Sequence, residues 1–268
     1  MRRKSQAQTL VLWANGHCVG RWTTPRRGDM ELQYERAWQD SELGRPLSLS
    51  LPFNMHGEAI KGDSVANFCQ ATGTSPLRKY ESEGGPGLKQ IFPILQQSAK
   101  TQEDTRTVMA AQILFWMLRA PDGHAKNFSI QLLAGATSRF HLTPLYDVMS
   151  AYPVMGTGPN QWADQEIKLA MALHCKNRHY QMHTILRRHF SSTAKRVGYG
   201  ADAEELVHEF IEKTPSAIEQ VQRQIPAGFS QKEVDSVFSG LSKAAQQLEA
   251  QAPKTISRQR ASKGASGH

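Results

Sequence analysis

Three residues of the sequence have side chains that can position a hydroxyl group and a metal ion for phosphoryl transfer. Asp122 and Asn127 lie in one short segment, Asp-Gly-His-Ala-Lys-Asn, and Asp147 follows in Leu-Tyr-Asp-Val. A carboxylate such as Asp122 can orient a hydroxyl group, whereas the amide oxygen of Asn127 is a hard, neutral ligand for magnesium. Asp147 supplies the second carboxylate that is needed to bridge such a metal to phosphate oxygens.

The spacing of Asp122 and Asn127 is that of a protein-kinase catalytic loop, in which the aspartate accepts the proton of the substrate hydroxyl and the asparagine holds magnesium. Kinases place a second metal-binding carboxylate just after a short hairpin, which is where Asp147 falls. Lys126, inside the loop, could meet the transferring phosphoryl group. Asp-x-x-x-x-Asn alone is common by chance, and a loop in which both side chains only cap turns is the alternative. The compound pattern of buried helix, Asp-x-His-x-Lys-Asn-x-Ser, strand pair and apolar-Tyr-Asp-Val is much more specific.

The elements that must position this loop are a preceding helix and a following pair of strands. Val108–Leu118 is largely apolar and typical of a buried helix, with helix-starting residues at 101–104. Ser129–Leu133 and Arg139–Leu142 are predicted as two short strands joined by a Gly-containing turn. The sequence therefore predicts that the loop leaves a rigid helix and enters a hairpin.

The N-terminal part of the chain has the pattern of a β structure. Asn15-Gly16 between two apolar stretches is the strongest short signal for a hairpin. We expect residues 1–60 to be mostly β, with strands near 9–14 and 17–22, a third over Met30–Trp38 and an apolar alternation at 48–52.

The C-terminal part is predicted to be helical. Pro215 and Pro226 are expected to break it, and the tail from Gln251 carries basic, Ser, Gly and Gln residues that cannot build a core. The predicted helices cover residues 164–174, 180–197, 202–213, 215–223 and 231–249.

Composition excludes several classes of protein. The chain has 268 residues, and its longest apolar stretch, around Ala110–Leu118, is far too short to span a bilayer. The N-terminus lacks the pattern of a secretory signal. Cys18, Cys69 and Cys175 have no Cys-x-x-Cys spacing, which excludes a disulfide scaffold and argues against a zinc ribbon. We therefore expect a reduced, cytoplasmic protein without a membrane partner.

Positive charge is concentrated in one stretch of the chain. The formal net charge is +8, and no carboxylate occurs between Glu166 and Asp202, where seven Lys or Arg residues and four histidines lie. This stretch is either a solvated helical face or a patch that contacts phosphates. Charge alone does not choose between DNA, RNA and an acidic protein as the partner.

Several segments together resemble a known family. These are the run from Lys79 (KYESEGGPG), FWMLRAPDGHAKNFSI, RFHLTPLYDVMSAYPV, IKLAMAL and RRHFSSTAK, with GRPLSLSLP and GDSVANF nearer the N-terminus. They resemble the HipA toxin kinases, the Ser/Thr protein kinases of bacterial HipBA toxin–antitoxin modules, over about 240 residues. The fold implied is α+β, with a small N-terminal β subdomain (1–68), a mainly helical, protein-kinase-like C-terminal lobe (69–250) and a disordered basic tail (251–268).

The resemblance implies roles for the residues that match the motifs of the family. Asp122 matches the catalytic aspartate, and Asn127 and Asp147 match the magnesium ligands, so that Mg²⁺ and ATP are the implied cofactors. The implied nucleotide-binding residues are His124, Ala125, Lys126, Asn127, Tyr146 and Asp147. Lys195, Arg196 and Gly198 match a segment that touches operator DNA, although Gly198 stands where a cation is expected.

The match breaks at one internal position. Members of the family carry a long segment between the β subdomain and the helical lobe, whereas here Phe68 runs directly into Cys69. The phosphate loop, the lysine that grips the α/β-phosphates and the adenine hinge are therefore missing. Gly84-Gly-Pro-Gly87 is expected to be a turn rather than a substitute, since Pro86 lacks an N–H and no strand precedes it.

The sequence therefore leaves three functions open. The first is a HipA-type toxin kinase, impaired or inactive because the ATP-gripping segment is absent, with an aminoacyl-tRNA synthetase as the implied substrate. The second is a non-catalytic module that binds a HipB-like helix-turn-helix antitoxin and operator DNA. The third is a decaying product of an internal deletion.

Overall fold

The computed structural model describes residues 8–14, 17–24, 31–42, 60–61, 65–75, 77–132 and 140–253. Within these residues the chain forms three small antiparallel sheets, and helices dominate the C-terminal part. The predicted α+β class is confirmed. In the described part of the chain, no helix combines the length and the apolar character that crossing a membrane requires.

The N-terminal sheet has four strands in sequential order, β1 (Gln8–Ala14), β2 (His17–Thr24), β3 (Glu31–Tyr34) and β4 (Ile60–Lys61). The predicted hairpin strands are thus confirmed, while their turn at 15–16 and the alternation at 48–52 lie outside the described residues. The third strand is shorter than predicted, because the chain turns into a one-turn helix, α1 (Arg36–Gln39), after Tyr34. This sheet has a core of its own, formed by Val19, Leu32, Tyr34 and Trp38.

The second sheet joins the two halves of the chain. Its strands are β5 (Val65–Asn67), β6 (Ser129–Leu132) and β7 (Phe140–Leu142), and β5 leads directly into a short helix, α2 (Phe68–Ala71). The predicted strand pair after the candidate catalytic loop is confirmed. The domain boundary at residue 68 stays a prediction, and β5, just before it, pairs with β6.

Two helices lie just before the candidate catalytic loop, α3 (Leu88–Leu95) and α4 (Thr101–Leu118). Helix α4 is buried on almost every side, which is why its sequence shows little amphipathic character. Trp116, near its C-terminus, is buried and donates its indole N–H to the Met182 carbonyl. The predicted buried helix is confirmed, and it gives the loop a rigid starting point.

The helix predicted over 164–174 is wrong. Residues Lys168–His174 form strand β8, which pairs with β9 (Arg178–Gln181) in a hairpin. Leu, Ala and Met favour helices, and a strand that is buried on both faces loses the alternation that would identify it. Tertiary contacts decide the outcome, because the buried Glu81 carboxylate accepts the Ala172 N–H at 2.7 Å.

Two further helix boundaries differ from the prediction. Residues 180–197 contain the end of β9, one 3-10 turn at Met182–Thr184, and an α-helix only from Arg187 onward, α5 (Arg187–Val197). The two helices predicted around Pro215 are one continuous helix, α6 (Glu204–Gln222). Proline removes one N–H from α6, and the neighbouring Thr214 hydroxyl donates to the Phe210 carbonyl. Packing of α6 against α4 and α7 holds the helix together across Pro215.

The last helix, α7 (Gln231–Ala250), is confirmed, and the predicted tail lies outside the described residues beyond 253. Helices α3 to α7, the β8–β9 hairpin and the second sheet contribute to one main hydrophobic core. That core also contains Phe68 and Cys69, at the junction where the sequence interpretation expects a segment to be missing. The junction is therefore tied to the helical lobe.

Candidate active site

The candidate catalytic loop begins where α4 ends in a left-handed turn. Arg119 has φ 53°, and its guanidinium donates to the Asp164 carboxylate at 3.0 Å and to the Trp116 carbonyl at 3.2 Å. Gly123 lies against the Phe115 ring, where a Cβ would approach the ring to 2.3 Å. The loop is thus pressed onto the helix, and a side chain at 123 would displace it.

The Asp122 carboxylate is held by residues from a distant segment. The Tyr80 hydroxyl donates a short hydrogen bond to Asp122 Oδ1, and Lys79 Nζ and His124 Nε2 each lie 3.4 Å from the same oxygen. Partial burial would raise the pKa of Asp122, but the Tyr80 hydrogen bond, the imidazole of His124 once it is protonated in acid, and the charge of Lys79 outweigh burial and lower that pKa. Asp122 is therefore ionised at neutral pH.

Lys79 and Tyr80 have no assigned role in the sequence interpretation. They lie more than forty residues before Asp122, and no local pattern links them to it. Burial, followed by the hydrogen bond to Asp122, raises the pKa of Tyr80, so that its phenol stays a neutral donor. Lys79 and Tyr80 therefore orient the Asp122 carboxylate, the candidate base, and favour its ionised form.

His124 is a buried, neutral imidazole beside that carboxylate. It is 3% exposed, and neither ring nitrogen has a hydrogen-bond partner among the described residues. Burial lowers the pKa of His124 and outweighs the attraction of Asp122. The Tyr80 ring contacts the imidazole edge-on at a centroid distance of 5.4 Å. His124 thus brings polar atoms to the site without a positive charge.

Asn127 closes the loop onto Asp122. Its side-chain Nδ2 donates to the Asp122 carbonyl at 2.7 Å, and its backbone N–H donates to the His124 carbonyl at 2.9 Å. Asn127 therefore does stabilise a turn, as the alternative interpretation held, whereas the Asp122 side chain does not. With Nδ2 engaged as a donor, Oδ1 is the atom that Asn127 can offer to a cation.

The segment that carries Asp147 is fastened to the loop on both sides. The Tyr146 hydroxyl donates to the Lys126 carbonyl at 2.6 Å and lies 2.7 Å from Ser129 Oγ, while Ser150 Oγ donates to the Leu118 carbonyl. Asp147 itself is exposed and has φ 57°, a conformation that is uncommon outside glycine and enriched at functional sites. That Asn127 and Asp147 converge on one ion stays a prediction.

The predicted nucleotide-binding residues follow one path along this loop. Ala125 and Asn127 are buried, Lys126 is half-buried, and Tyr146 is 44% exposed. Because the Tyr146 hydroxyl is already engaged, only its ring is open to a ligand. Contact of these residues with a nucleotide stays a prediction.

The basic stretch between Glu166 and Asp202 is only partly exposed to solvent. Arg187 is buried and donates to Glu204 at 2.8 Å and to the Leu248 carbonyl at 3.0 Å. Lys195 and Arg196 are exposed on the last turn of α5. Gly198 ends that helix at φ 77°, a left-handed conformation that explains a glycine where a cation was expected.

Cys175, His179 and His189 form a second cluster, with one ligand atom from each within 4.8 Å of the others. His189 Nδ1 accepts the Leu186 N–H at 3.2 Å, and its ring stacks on His179 at 4.1 Å. Burial, His179 and Arg188 lower the pKa of His189 to about 4. The neutral ring then carries its proton on Nε2, so that neither nitrogen has a free lone pair for a metal. His189 is a cap of α5.

Comparison with known proteins identifies the family. A family model for the HipA-like C-terminal domain matches residues 63–218, which is more than half of the chain. The chain belongs to the family of HipA-like C-terminal domains. The match contains the candidate catalytic loop, Asp147, the β8–β9 hairpin and α5.

Two individual proteins support this assignment. A protein of Sinorhizobium fredii named "Putative kinase Y4mE" is 40% identical over 119 residues, which cover 42% of this chain and 28% of that protein. HipA of Shewanella oneidensis, solved in complex with HipB and operator DNA, matches with a TM-score of 0.60 at 15% identity over 93% of this chain. The kinase-like HipA fold is therefore shared, and the expectation drawn from the motifs is confirmed at the level of family and fold.

The chain is shorter than both relatives. It spans 28% of the length of the first and 65% of the solved HipA chain. The activity and partners of those whole proteins therefore enter here as proposals.

Proposed function

We propose that this HipA-family chain is the catalytic lobe of a toxin-type Ser/Thr protein kinase, in which Asp122 accepts the proton of a substrate hydroxyl. The observation that carries the proposal is the joint positioning of Asp122 and Asn127. Asn127 donates to the Asp122 backbone, while Tyr80 and Lys79 fix and charge the Asp122 carboxylate. A lowered pKa keeps that base unprotonated and able to orient a hydroxyl.

The residues present fit a magnesium ion. The amide oxygen of Asn127 and the carboxylate of Asp147 are hard oxygen donors of the kind that Mg²⁺ prefers. The orphaned nitrogens of buried His124 are polar atoms that a nucleotide could satisfy. Bound Mg²⁺ with ATP would supply the phosphoryl group and neutralise its charge. Lys126 would then face that group, and Asp122 would hold the acceptor hydroxyl.

We further propose that the isolated chain has little kinase activity. Phosphoryl transfer depends on positioning and electrostatics, and the segment that grips ATP in the family is absent between Phe68 and Cys69. Loss of the lysine clamp alone would remove about 1.5–3 kcal/mol of binding free energy, the contribution of a hydrogen bond to a charged group.

Manganese tests the site itself. In NMR spectra of the nitrogen-15-labelled protein, added Mn²⁺ should broaden the signals of the Asn127 side-chain amide first. The Asp147→Asn variant should abolish this broadening. Asp202→Asn, an exposed carboxylate elsewhere, is the matched control and should change nothing. Unbroadened Asn127 signals in the wild type would refute the metal site.

Thermal unfolding with Mg-ATP tests the proposed impairment. Binding at about 100 times the Kd would add about 2.7 kcal/mol to the free energy of unfolding. We expect little shift in melting temperature and no autophosphorylation. A large shift that disappears in Asp147→Asn would show that another part of this chain replaces the missing segment.

A second function is favoured by the exposed end of α5. The solved HipA relative is in complex with HipB and its operator DNA, and Lys195 and Arg196 are exposed here in a segment that resembles the operator-contacting one. We propose that the chain contacts DNA phosphates through these residues, with base recognition left to a HipB-like helix-turn-helix partner.

Salt dependence of DNA binding tests this second function. Lys195→Ala with Arg196→Ala should weaken binding equally across sequences and lower the salt slope by about one unit per lost contact. Lys232→Ala with Lys243→Ala on α7 removes the same charge from another surface and should leave the slope unchanged. Equal slopes in both double variants would exclude α5 as the DNA contact.

A further inference from the structure

An open cleft of about 570 Å³ lies on one side of Asp122. Its walls come from the segment around Tyr80, from Met149 and Trp162, and from the β8–β9 hairpin. The volume is within the range of about 300–1,000 Å³ that is usual for ligand clefts. Asp122 is at once the candidate base and part of the wall, so that a molecule in this cleft meets its carboxylate.

The cleft is separate from the predicted nucleotide path. Neither Asn127 nor Asp147 lines it, and the same holds for Lys126 and Tyr146. Asp122 alone is common to the cleft and the predicted catalytic set. A molecule in the cleft and a nucleotide at the predicted residues would therefore meet at one base, as transfer between a phosphoryl donor and a hydroxyl acceptor requires.

We propose that this cleft binds the acceptor as an extended polypeptide segment that carries a basic side chain and an apolar side chain close to the reacting hydroxyl. The proposal rests on the kinase function proposed above and adds the class of acceptor that this site selects. Glu83, Glu166, Met149 and Trp162 are the specificity-determining residues.

The apolar preference follows from two exposed side chains. Trp162 is 49% exposed and Met149 is 54% exposed, although both lie at the cleft. The backbone of Trp162 is fixed, because its N–H donates to the Val154 carbonyl at 2.9 Å and its carbonyl accepts the Gly156 N–H at 3.0 Å. A half-exposed indole on a fixed backbone is a prepared apolar contact that loses little entropy on binding.

The basic preference follows from the charges around the cleft. Glu83 and Glu166 are exposed at its edge, and Lys168 is the cation that lines it. Glu166 is oriented by accepting the Ala163 N–H at 2.9 Å. Two further cations near the walls already have acidic partners: Lys79 is paired with Asp122, and Arg178, which contacts Tyr180, is paired with Glu81. The acidic side chains thus exceed the basic one, and a positively charged acceptor is favoured.

Indole N–H signals of the labelled protein measure acceptor binding without ATP. The probes are two matched short peptides that have a central serine flanked by leucines, with either arginines or glutamates outside them. The arginine peptide should shift the Trp162 signal, assigned through Trp162→Phe, and should leave the signal of buried Trp116 unchanged. It should bind more tightly than the glutamate peptide.

Variants of the two carboxylates test the selectivity. Glu83→Gln and Glu166→Gln should each lower the affinity for the arginine peptide by about threefold, the effect of one exposed ion pair. The affinity for a neutral peptide should not change. Glu219→Gln, an exposed carboxylate on α6, is the control and should change neither affinity.

The outcomes separate this proposal from the kinase function. An unmoved Trp162 signal with both peptides, or equal affinity for both, would overturn the acceptor proposal while leaving the manganese result intact. A Trp162 shift with Mg-nucleotide but with neither peptide would assign the cleft to the nucleotide and overturn it as well. Peptide binding without manganese binding would instead retain the cleft and refute the kinase function.

Discussion

Titration of His189 should make the stability of the helical lobe depend on pH below neutrality. The imidazole is 6% exposed, caps α5, and has its pKa lowered from 6.5 to about 4 by burial, His179 and Arg188. Between these two values the unfolded chain binds a proton that the folded chain refuses. Lowering the pH therefore stabilises the unfolded state, so that the contribution is complete above about pH 6.5 and is lost toward pH 4.

The size of this effect follows from the two pKa values. A lowering from 6.5 to about 4 corresponds to about 3 kcal/mol in total. About 2 kcal/mol of this should be lost between about pH 7.5 and about pH 5. His189→Asn keeps an acceptor for the Leu186 N–H near the position of Nδ1 but removes the titration. Its free energy of unfolding should fall by about 2 kcal/mol less over the same pH interval.

Urea unfolding of both proteins at the two pH values measures this difference. His183→Asn, which changes an exposed histidine, is the control and should follow the wild type. Equal pH dependence in the wild type and His189→Asn would refute the burial argument, because the other titrating groups are common to both proteins.

Two more changes test the contacts of the segment 79–87, first with Asp122 and then around Glu81. Tyr80→Phe removes the hydroxyl that donates to Asp122 and should raise the pKa of that carboxyl, measured by carbon-13 NMR. Tyr180→Phe, in the same cleft, is the control and should leave the pKa of Asp122 unchanged. An unchanged Asp122 pKa in Tyr80→Phe would contradict the proposed positioning. Gly87→Ala would place a Cβ 2.3 Å from the buried Glu81 carboxyl and should lower the free energy of unfolding by about 1–3 kcal/mol. Gly200→Ala, whose Cβ would have ordinary contacts, should cost much less, and similar losses in both variants would show that Glu81 yields easily.

The local part of the site could be predicted from the sequence. Asp122 and Asn127 lie five residues apart, and a contact between them needs only a tight loop between a helix and a strand, both of which have clear patterns. The Asn127 bond to the Asp122 carbonyl is such a contact. The contacts of Asp122 with Lys79 and Tyr80 cross more than forty residues, and one sequence contains no record of them.

The wrong elements have a common physical cause. Local residue preference predicts helices over 164–174 and 180–197. The strands Lys168–His174 and Arg178–Gln181 form instead because they pair with each other and because the first also contacts the buried Glu81. Pro215 was predicted to end a helix, whereas packing of α6 on its neighbours outweighs one missing hydrogen bond. Burial also changes two members of the basic stretch that a count of charged residues treats as surface cations. Arg187 forms an internal ion pair with Glu204, and His189 is neutral.

The segment 79–87 connects these long-range contacts to the chemistry. Lys79 and Tyr80 hold the Asp122 carboxylate, and the next residue, Glu81, accepts the Ala172 N–H of β8 and lies 3.4 Å from His174 Nε2. Gly87 leaves room for that buried carboxylate. One short segment therefore fixes both the candidate base and the hairpin that forms one wall of the proposed acceptor cleft. These contacts lie wholly C-terminal to residue 68, where the sequence interpretation expects the ATP-gripping segment to be missing, so the proposed acceptor side does not depend on that segment. The proposed loss of that segment and an ordered acceptor side are thus compatible in one chain.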